Sequence, residues 1–391
     1  MKPGLALSVS GAAVALAFAA LAQPAPGARA PNAAPVDPAT LQGLPAARDY
    51  RPPEGVRTRT ADIVSDNVRL TAQLFYAAEN EGRKLPTVVM APGWGATAAT
   101  LREDAVDLAR AGYLAMLFDY RGWGESDGRV ALVGARPAAG GAFTTEVREL
   151  RGYVDPWEQG EDWANAISYA TTEPMADPGR IGLLGSDLAG GHVIRLAAQD
   201  GRIRALVSQV TSADLRPYKP YQPDPAKVIA EANAAAAGLA AGRTSYPPKG
   251  ARTGDLVGAA VGNKAVRWAP VEDATLVGAP ALFVLAQNEE LFANANNGQL
   301  ACERVTGPRR LMMLPGITHY GIYGAERRRA IGAAIAWFDR YLKPDAAPAQ
   351  GDAKPPERGE CFPPPEPPKG EEDPNGSGES KRTQDASGRW N

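Results

Sequence analysis

The sequence is poor in histidine and cysteine, with only two of each among 391 residues. No cysteine pair has the CxxC spacing of a metal site, and we expect neither a metal nor a cofactor. Opposite charges nearly cancel, with 42 Lys and Arg against 44 Asp and Glu. This balance argues against nucleic acid or an anionic membrane as a partner. A catalytic imidazole, if there is one, belongs to His192 or His319.

The two cysteines are Cys302 and Cys361. In an oxidising compartment they can form a disulfide. Cys361 lies in a proline-rich tail, so this bridge would tie the tail to the domain. The alternative is two unpaired thiols.

Long apolar runs are also scarce, and the clearest one lies near the N-terminus, at residues 5–22. Lys2 precedes it, and Ala20-Leu21-Ala22 before Gln23 fits a small-x-small cleavage site. The pattern predicts a signal peptide over residues 1–22, so we expect a periplasmic or secreted protein without a stable membrane anchor. A retained anchor is the alternative. The sequence does not indicate an oligomeric state.

Alanine and proline are concentrated at both ends of the mature chain. Residues 23–50 are interpreted as a linker. Residues 344–391 are predicted to be disordered, because they cannot bury enough apolar surface to offset the entropy lost on ordering. Residues 51–343 form the predicted domain. Within it, residues 211–278 interrupt the regular pattern, and we interpret them as a small cap over the site or as an inert surface excursion.

Strand-like and helix-like segments alternate through the domain, which predicts the α/β class with a mostly parallel, doubly wound sheet. Residues 56–65 and 68–77 indicate a leading hairpin. The last helical pattern, residues 326–342, is amphipathic, with Ile331, Ile335 and Phe338 on one face. Short apolar runs typical of buried parallel strands occupy residues 86–91, 113–119, 180–185, 203–210, 280–286 and 309–314.

The stretch "GSDLAGGHVIRLAA", residues 185–198, follows a buried strand and continues into a helical pattern. That layout is typical of a nucleophile elbow, a sharp turn that needs small residues two before and two after its apex. Ser186 at the apex would have leucines at both flanks. Asp187 at the apex has Gly185 and Ala189 instead, so the spacing selects the aspartate. Asp187 as a simple helix cap is the structural alternative.

Partners for this residue follow in chain order. His319 comes after the last predicted strand and before the final helix, where a triad places its base. His192 lies on the elbow helix and is interpreted as structural. Glu289 is our first choice for the acid that holds the imidazole tautomer, with Glu290 and Asp214 as alternatives.

The loop "APGWGAT", residues 91–97, ends another predicted strand. Its small residues allow backbone amides to approach a substrate oxygen. We expect the amides of Trp94 and Leu188 to form an oxyanion hole. Trp94 would otherwise only line the pocket.

Together these motifs resemble the dienelactone-hydrolase and Xaa-Pro-dipeptidyl-peptidase-like group of α/β-hydrolases. The similarity also rests on "FDYRGWGESDG", "VDPWEQGEDWANAI", "AQNEELF" and "PGITHYGIYG", and spans roughly residues 55–343. It implies the α/β-hydrolase fold and carries the base and the acid over to His319 and Glu289. In that group the elbow usually reads G-S-S-x-x-G-G-H, with the second serine as nucleophile. Asp187 occupies that position here.

An aspartate is already ionised at neutral pH. It suits displacement at a saturated carbon, as in an epoxide or an alkyl halide, because attack on an ester carbonyl would give an anhydride. We therefore predict a hydrolase of a small organic substrate, with a covalent intermediate on Asp187 that His319 hydrolyses. The alternatives are a serine esterase that uses Ser186 and an inactive binding protein. Such chemistry also needs a group that stabilises the leaving oxygen or halide. The candidates in the predicted cap are four aromatic residues, Tyr218, Tyr221, Tyr246 and Trp268.

Overall fold

The computed structural model describes residues 44–136, 138, 140–217, 223–243, 252–253, 256–343 and 361. The predicted signal peptide, most of the predicted linker and nearly all of the predicted tail lie outside these residues. So do Tyr218, Tyr221 and Tyr246. The end of the linker is described, and it packs on the domain: Ala47 is buried and its amide donates to Glu125. Ala47, in the segment interpreted as a linker, thus contacts the domain.

The strands include every one predicted from the sequence. They are β1 (Val56–Ser65), β2 (Val68–Ala77), β3 (Leu85–Ala91), β4 (Leu114–Phe118), β5 (Arg129–Leu132), β6 (Val147–Leu150), β7 (Tyr153–Val154), β8 (Ala176–Ser186), β9 (Ile203–Gln209), β10 (Arg252–Thr253), β11 (Leu256–Val257), β12 (Ala259–Ala260), β13 (Ala281–Ala286) and β14 (Arg309–Leu314).

The α-helices alternate with the strands. They are α1 (Arg102–Arg110), α2 (Pro156–Thr172), α3 (Leu188–Gln199), α4 (Pro225–Ala240), α5 (Gly262–Ala265), α6 (Pro270–Asp273), α7 (Gly298–Arg304) and α8 (Arg327–Leu342). No helix in the described part of the chain is both long and apolar enough to cross a membrane.

Eight strands form the central sheet, in the order β1-β2-β4-β3-β8-β9-β13-β14. The leading hairpin β1–β2 is antiparallel, and β2 also pairs antiparallel with β4. From β4 onward every neighbouring pair is parallel. This is the α/β-hydrolase fold, and the predicted fold class is confirmed.

Helices cover both faces of the sheet, and each face has its own apolar core. One core includes Trp163 of α2 and Val193 of α3, and the other includes Ala105 of α1 and Phe338 of α8. Strands β3, β4 and β13 are buried at every residue. Burial on both faces explains why these strands read as continuous apolar runs.

The insertion after β9 lies beside the loop that follows β3. A Cβ on Gly95 would come within 2.1 Å of the Val257 carbonyl oxygen, so the two backbones are in direct contact. In addition, β12 of the insertion pairs in parallel with β7. These contacts place part of the predicted cap against the candidate oxyanion loop.

Candidate active site

Four of the predicted site residues follow the carboxyl ends of parallel strands. Trp94 comes after β3, Asp187 after β8, Glu289 after β13 and His319 after β14. In an open α/β sheet, ligands bind at this edge because the loops leaving the strands converge there. The sheet order thus brings together residues that are far apart in the sequence.

Asp187 is the single residue between β8 and α3, and its backbone is strained. Its φ of 58° and ψ of −120° lie in a region that residues with a side chain rarely adopt. The surrounding backbone holds this turn: the Asp187 amide donates to the Gln209 carbonyl, and its carbonyl accepts from Gly190 and Ser212. Such strain is concentrated at functional sites, where the surrounding fold maintains it.

Close packing around Asp187 leaves no room for a side chain at Gly185, in the turn, or at Gly93, in the loop after β3. A Cβ on Gly185 would lie 2.1 Å from the carbonyl oxygen of Ala189. A Cβ on Gly93 would lie 2.4 Å from Asp187 Oδ2. The register that the sequence favours, with small residues flanking Asp187, is therefore a physical requirement of this turn.

Ser186 occupies a different environment. Its side chain is fully buried at the end of β8, and its hydroxyl lies 2.6 Å from the hydroxyl of Tyr323. The serine is thus engaged by the tyrosine rather than by the imidazole of His319.

His319 is buried and is held by two carboxylates. Its Nδ1 lies 3.0 Å from both carboxylate oxygens of Glu289, and its backbone amide donates to Glu290 Oε2 at 2.7 Å. Glu289 in turn accepts from the amide of Leu291. Glu289 therefore orients the ring, and Glu290 fixes the backbone that carries it.

Opposing effects act on the pKa of His319. Burial disfavours the imidazolium, but the carboxylate of Glu289, with the charges of Asp187 and Glu290, outweighs it and raises the pKa to about 9. Burial also raises the pKa of Glu289, although the charge of His319 opposes that shift. The imidazole is consequently protonated at neutral pH.

The two carboxylate oxygens of Asp187 face different groups. Oδ2 accepts a hydrogen bond from the Trp94 amide at 2.8 Å, and Oδ1 lies 4.0 Å from His319 Nε2. The Trp94 ring packs against the apolar core, and the contact with the carboxylate is made by the backbone amide. Leu188 begins α3, and amides in the first turn of a helix have no partner within the helix.

Asp214, a predicted alternative acid, is placed elsewhere. Its carboxylate binds the guanidinium of Arg216, and its amide donates to Asn297. The carboxylate that contacts Nδ1 of His319 is that of Glu289.

His192 and Trp268 pack together inside the domain. Their ring centroids are 4.8 Å apart, and both side chains are fully buried. Burial lowers the pKa of His192 to about 3, so this ring is neutral, and its Nε2 lies 3.2 Å from the amide oxygen of Gln159. Trp268 thus packs in the core.

Two tyrosines of the His319 turn contact the site although the sequence pattern does not single them out. Tyr320 packs edge-on against the His319 ring at 5.0 Å, and Tyr323 binds Ser186. The string "THYGIY" around the predicted base was the available signal. Within the described ranges, no cluster of three or more His, Cys, Asp or Glu side chains could hold a metal ion.

Comparison with known proteins agrees with this architecture. The sequence pattern of the X-Pro dipeptidyl-peptidase (S15) family matches residues 66–223. An uncharacterized 31.7 kDa protein of Escherichia coli is 27% identical, over 66% of this chain and 92% of that protein. The quorum-quenching protein AidA of Acinetobacter baumannii is 32% identical over 38% of this chain, and the chain spans 42% of AidA. Thiohydrolase aneE of Aspergillus aculeatus is 30% identical over 48% of this chain and 52% of its own length.

Solved structures show the same fold. A hypothetical protein, PA2218 of Pseudomonas aeruginosa, has a TM-score of 0.56 and 18% identity, with 76% of this chain and 99% of that chain covered. The α/β-hydrolase GrgF of Penicillium has a TM-score of 0.54 and 17% identity, with 73% and 99% covered. The chain has the α/β-hydrolase fold and is a hydrolase.

Proposed function

We propose that this hydrolase acts at a saturated carbon through a covalent ester on Asp187. The observation that carries the proposal is the placement of the Asp187 carboxylate, with one oxygen on the Trp94 amide and the other directed toward His319. A small molecule with an electrophilic carbon, such as an epoxide or an alkyl halide, is the substrate class that this geometry fits.

In the first step the carboxylate oxygen Oδ1 attacks the carbon. The carbon–oxygen bond of the ester forms as the bond to the leaving group breaks with its electron pair. The Trp94 amide keeps Oδ2 in place, so Oδ1 is the free oxygen. An ester substrate is disfavoured, since Oδ2 already occupies the amide that would bind a substrate carbonyl oxygen.

In the second step His319 activates a water molecule that attacks Cγ of Asp187. The 4.0 Å between His319 Nε2 and Oδ1 is too long for a hydrogen bond and fits a position bridged by water. Charge then develops on Oδ2, where the amides of Trp94 and Leu188 stabilise it. Glu289 holds the ring tautomer and stabilises the imidazolium that forms.

The charge of Asp187 favours alkylation before hydrolysis, because it acts on the pKa of His319. While Asp187 is ionised, its charge helps to keep the pKa of His319 near 9. Formation of the ester removes that charge, so the pKa of His319 falls and a larger fraction of the rings is neutral. The base thus becomes available when there is an ester to hydrolyse.

Trapping the intermediate tests the proposal. The His319→Gln variant, incubated with epoxyhexane and bromohexane, is expected to accumulate an adduct that peptide mass spectrometry locates on Asp187. The Asp187→Asn variant is the matched control and is expected to remain unmodified. Absence of an adduct with both compounds, with no turnover by the unmodified protein, would contradict the proposal and favour a binding protein.

Acyl-group hydrolysis is a second candidate, favoured by the thiohydrolases among the relatives. It requires a serine, and Ser186 is buried against Tyr323. Incubation with a short-chain nitrophenyl ester, followed by the same peptide mass spectrometry, would support this candidate if an acyl group is found on Ser186.

We also propose that the mature protein works outside the cytoplasm. The signal-like residues 1–22 support this, and so does the disulfide that joins Cys302 to Cys361. Fractionation of producing cells, with the N-terminus of the recovered protein sequenced, is the test.

A further inference from the structure

We propose that the hydrogen bond between Ser186 and Tyr323 is a positioning device for the base of this site. It holds His319 at the distance from Asp187 that ester hydrolysis requires. The inference rests on the proposed covalent chemistry of Asp187 and assigns the residues that set the geometry of its second step. Because Ser186 and Tyr323 act through the base and the nucleophile, they are positioning residues rather than catalytic ones.

The two hydroxyls belong to the two segments that carry the reacting groups. Ser186 is the last residue of β8 and directly precedes Asp187. Tyr323 is the last residue of the 3-10 turn His319–Tyr323, which begins with the base. A bond between these side chains therefore joins the strand of the nucleophile to the turn of the base.

The bond is short and buried. The two hydroxyl oxygens are 2.6 Å apart, and the Ser186 side chain is inaccessible to solvent. Burial, together with the charge of Asp187, raises the pKa of Tyr323, so the phenol keeps its proton at neutral pH. Separating the two groups would leave a buried hydroxyl without a partner, which is costly, and the pair is therefore held together.

The carboxylates that hold the turn come from a different strand. Glu289 and Glu290 follow β13, and they bind the ring and the backbone amide of His319. On the side of β8, Asp187 Oδ1 lies 4.0 Å from His319 Nε2, which is beyond hydrogen-bond distance. The bond between the two hydroxyls is thus the direct hydrogen-bonded link that the described residues provide across this gap.

Ester hydrolysis depends on the width of this gap. His319 Nε2 must bind a water molecule that also reaches Cγ of Asp187, and the separation of 4.0 Å fits such a bridge. A displacement of about 1 Å in a reacting geometry can cost about 10²-fold in rate. Alkylation depends less on the gap, because the Trp94 amide holds the carboxylate of Asp187. Loss of the hydroxyl–hydroxyl bond should therefore slow the second step selectively.

Three variants separate positioning from stability. Tyr323→Phe and Ser186→Ala each delete one hydroxyl and leave the other buried without its partner, so both should unfold at a lower temperature than the unmodified protein. The double variant has no unpaired hydroxyl, and much of this stability should return. Its ester hydrolysis should nevertheless remain slow, because the link is still missing. A role in stability alone predicts instead that the rate recovers together with the stability.

Single-turnover kinetics with epoxyhexane and with bromohexane resolve the two steps, as growth and decay of the Asp187 adduct. We expect adduct decay to slow by about tenfold or more in all three variants, while adduct growth changes less than about threefold. Tyr341→Phe, on α8, is the matched control for loss of a tyrosine hydroxyl and should keep both rates.

NMR titration of His319 gives a second readout that needs no substrate. The charge of Asp187 helps to raise the pKa of His319, so a ring that can move away from Asp187 should have a lower pKa. We expect this decrease in Tyr323→Phe, in Ser186→Ala and in the double variant.

Each of three results would overturn the proposal. They are an unchanged rate of adduct decay in Tyr323→Phe, a rate that recovers with stability in the double variant, and a His319 pKa that is the same in all variants. Absence of any adduct on Asp187 would instead contradict the proposed function. In that case the pKa of His319 still decides between positioning and a role in stability alone, so the two claims fail separately.

Discussion

Glu289 holds the imidazole of His319 through both of its carboxylate oxygens, each 3.0 Å from Nδ1. This contact fixes which ring nitrogen faces Asp187. It also places a buried negative charge behind the ring, where it stabilises the imidazolium formed during water activation.

Glu289→Gln should therefore impair the second step more than the first. The amide removes the charge and no longer selects the tautomer, so we expect hydrolysis of the Asp187 ester to slow by about 10²-fold or more. Single-turnover kinetics separate the two steps. Glu290→Gln is the comparison, because Glu290 binds only the backbone of His319. Equal losses in both variants would contradict the assigned role of Glu289.

The pKa of His319 should depend on Asp187. In the free protein this pKa is raised to about 9, and Asp187→Asn removes one of the charges responsible, so the pKa should fall. NMR titration of the imidazoles measures it directly. The second histidine, His192, has a pKa of about 3 and serves as a silent internal reference near neutral pH. A His319 pKa that is the same in both proteins would mean that Asp187 does not act on the ring.

The same shift gives stability a pH dependence. The folded pKa of His319 lies above the unfolded value of 6.5, so its contribution is fully present below about pH 6.5. The contribution is lost as the pH rises through about 9. Chemical unfolding at a series of pH values should show this loss, and His319→Gln should lack this component.

Asp187→Ser should convert the site to ester hydrolysis. Serine at the same apex would lie beside His319 and the Trp94 amide, which are the parts that acyl transfer needs. We expect the unmodified protein to leave a short-chain nitrophenyl ester intact and Asp187→Ser to cleave it. Rapid cleavage by the unmodified protein would show that Asp187 does not set the chemistry.

Gly93→Ala should reduce activity by crowding the nucleophile. The added methyl group would lie 2.4 Å from Asp187 Oδ2, so the carboxylate must leave the Trp94 amide. We expect at least a tenfold loss of turnover, since removing one oxyanion donor costs about 10²-fold or more. Gly332→Ala, in α8 with open space around it, is the control and should keep full activity. An active Gly93→Ala variant would contradict the assigned position of Oδ2.

The sequence predicts much of this fold because its buried strands have few alternatives. The run at residues 280–286 contains β13, which is buried at every residue, and the small residues around Asp187 identify the apex of the turn. The sequence does not decide whether Glu289 or Glu290 contacts the imidazole. Both follow the same strand, and only the backbone geometry decides which of them reaches Nδ1.

Other features depend on packing that no local pattern encodes. The sequence offers Trp268 as a cap residue, and its burial against His192 follows from how the insertion returns to the domain. The contact between Trp94 and Asp187 joins residues 93 positions apart in the sequence.

The most direct test of the central claim is a single turnover in isotopically labelled water. Excess protein is reacted with epoxyhexane, and the label is then located by mass spectrometry in the peptide that contains Asp187 and in the product. A covalent ester on Asp187 predicts that the label enters the Asp187 carboxylate, while the first-turnover diol carries unlabelled oxygen from the protein. Label found only in the diol, with none in Asp187, would mean direct attack by water and would contradict the account.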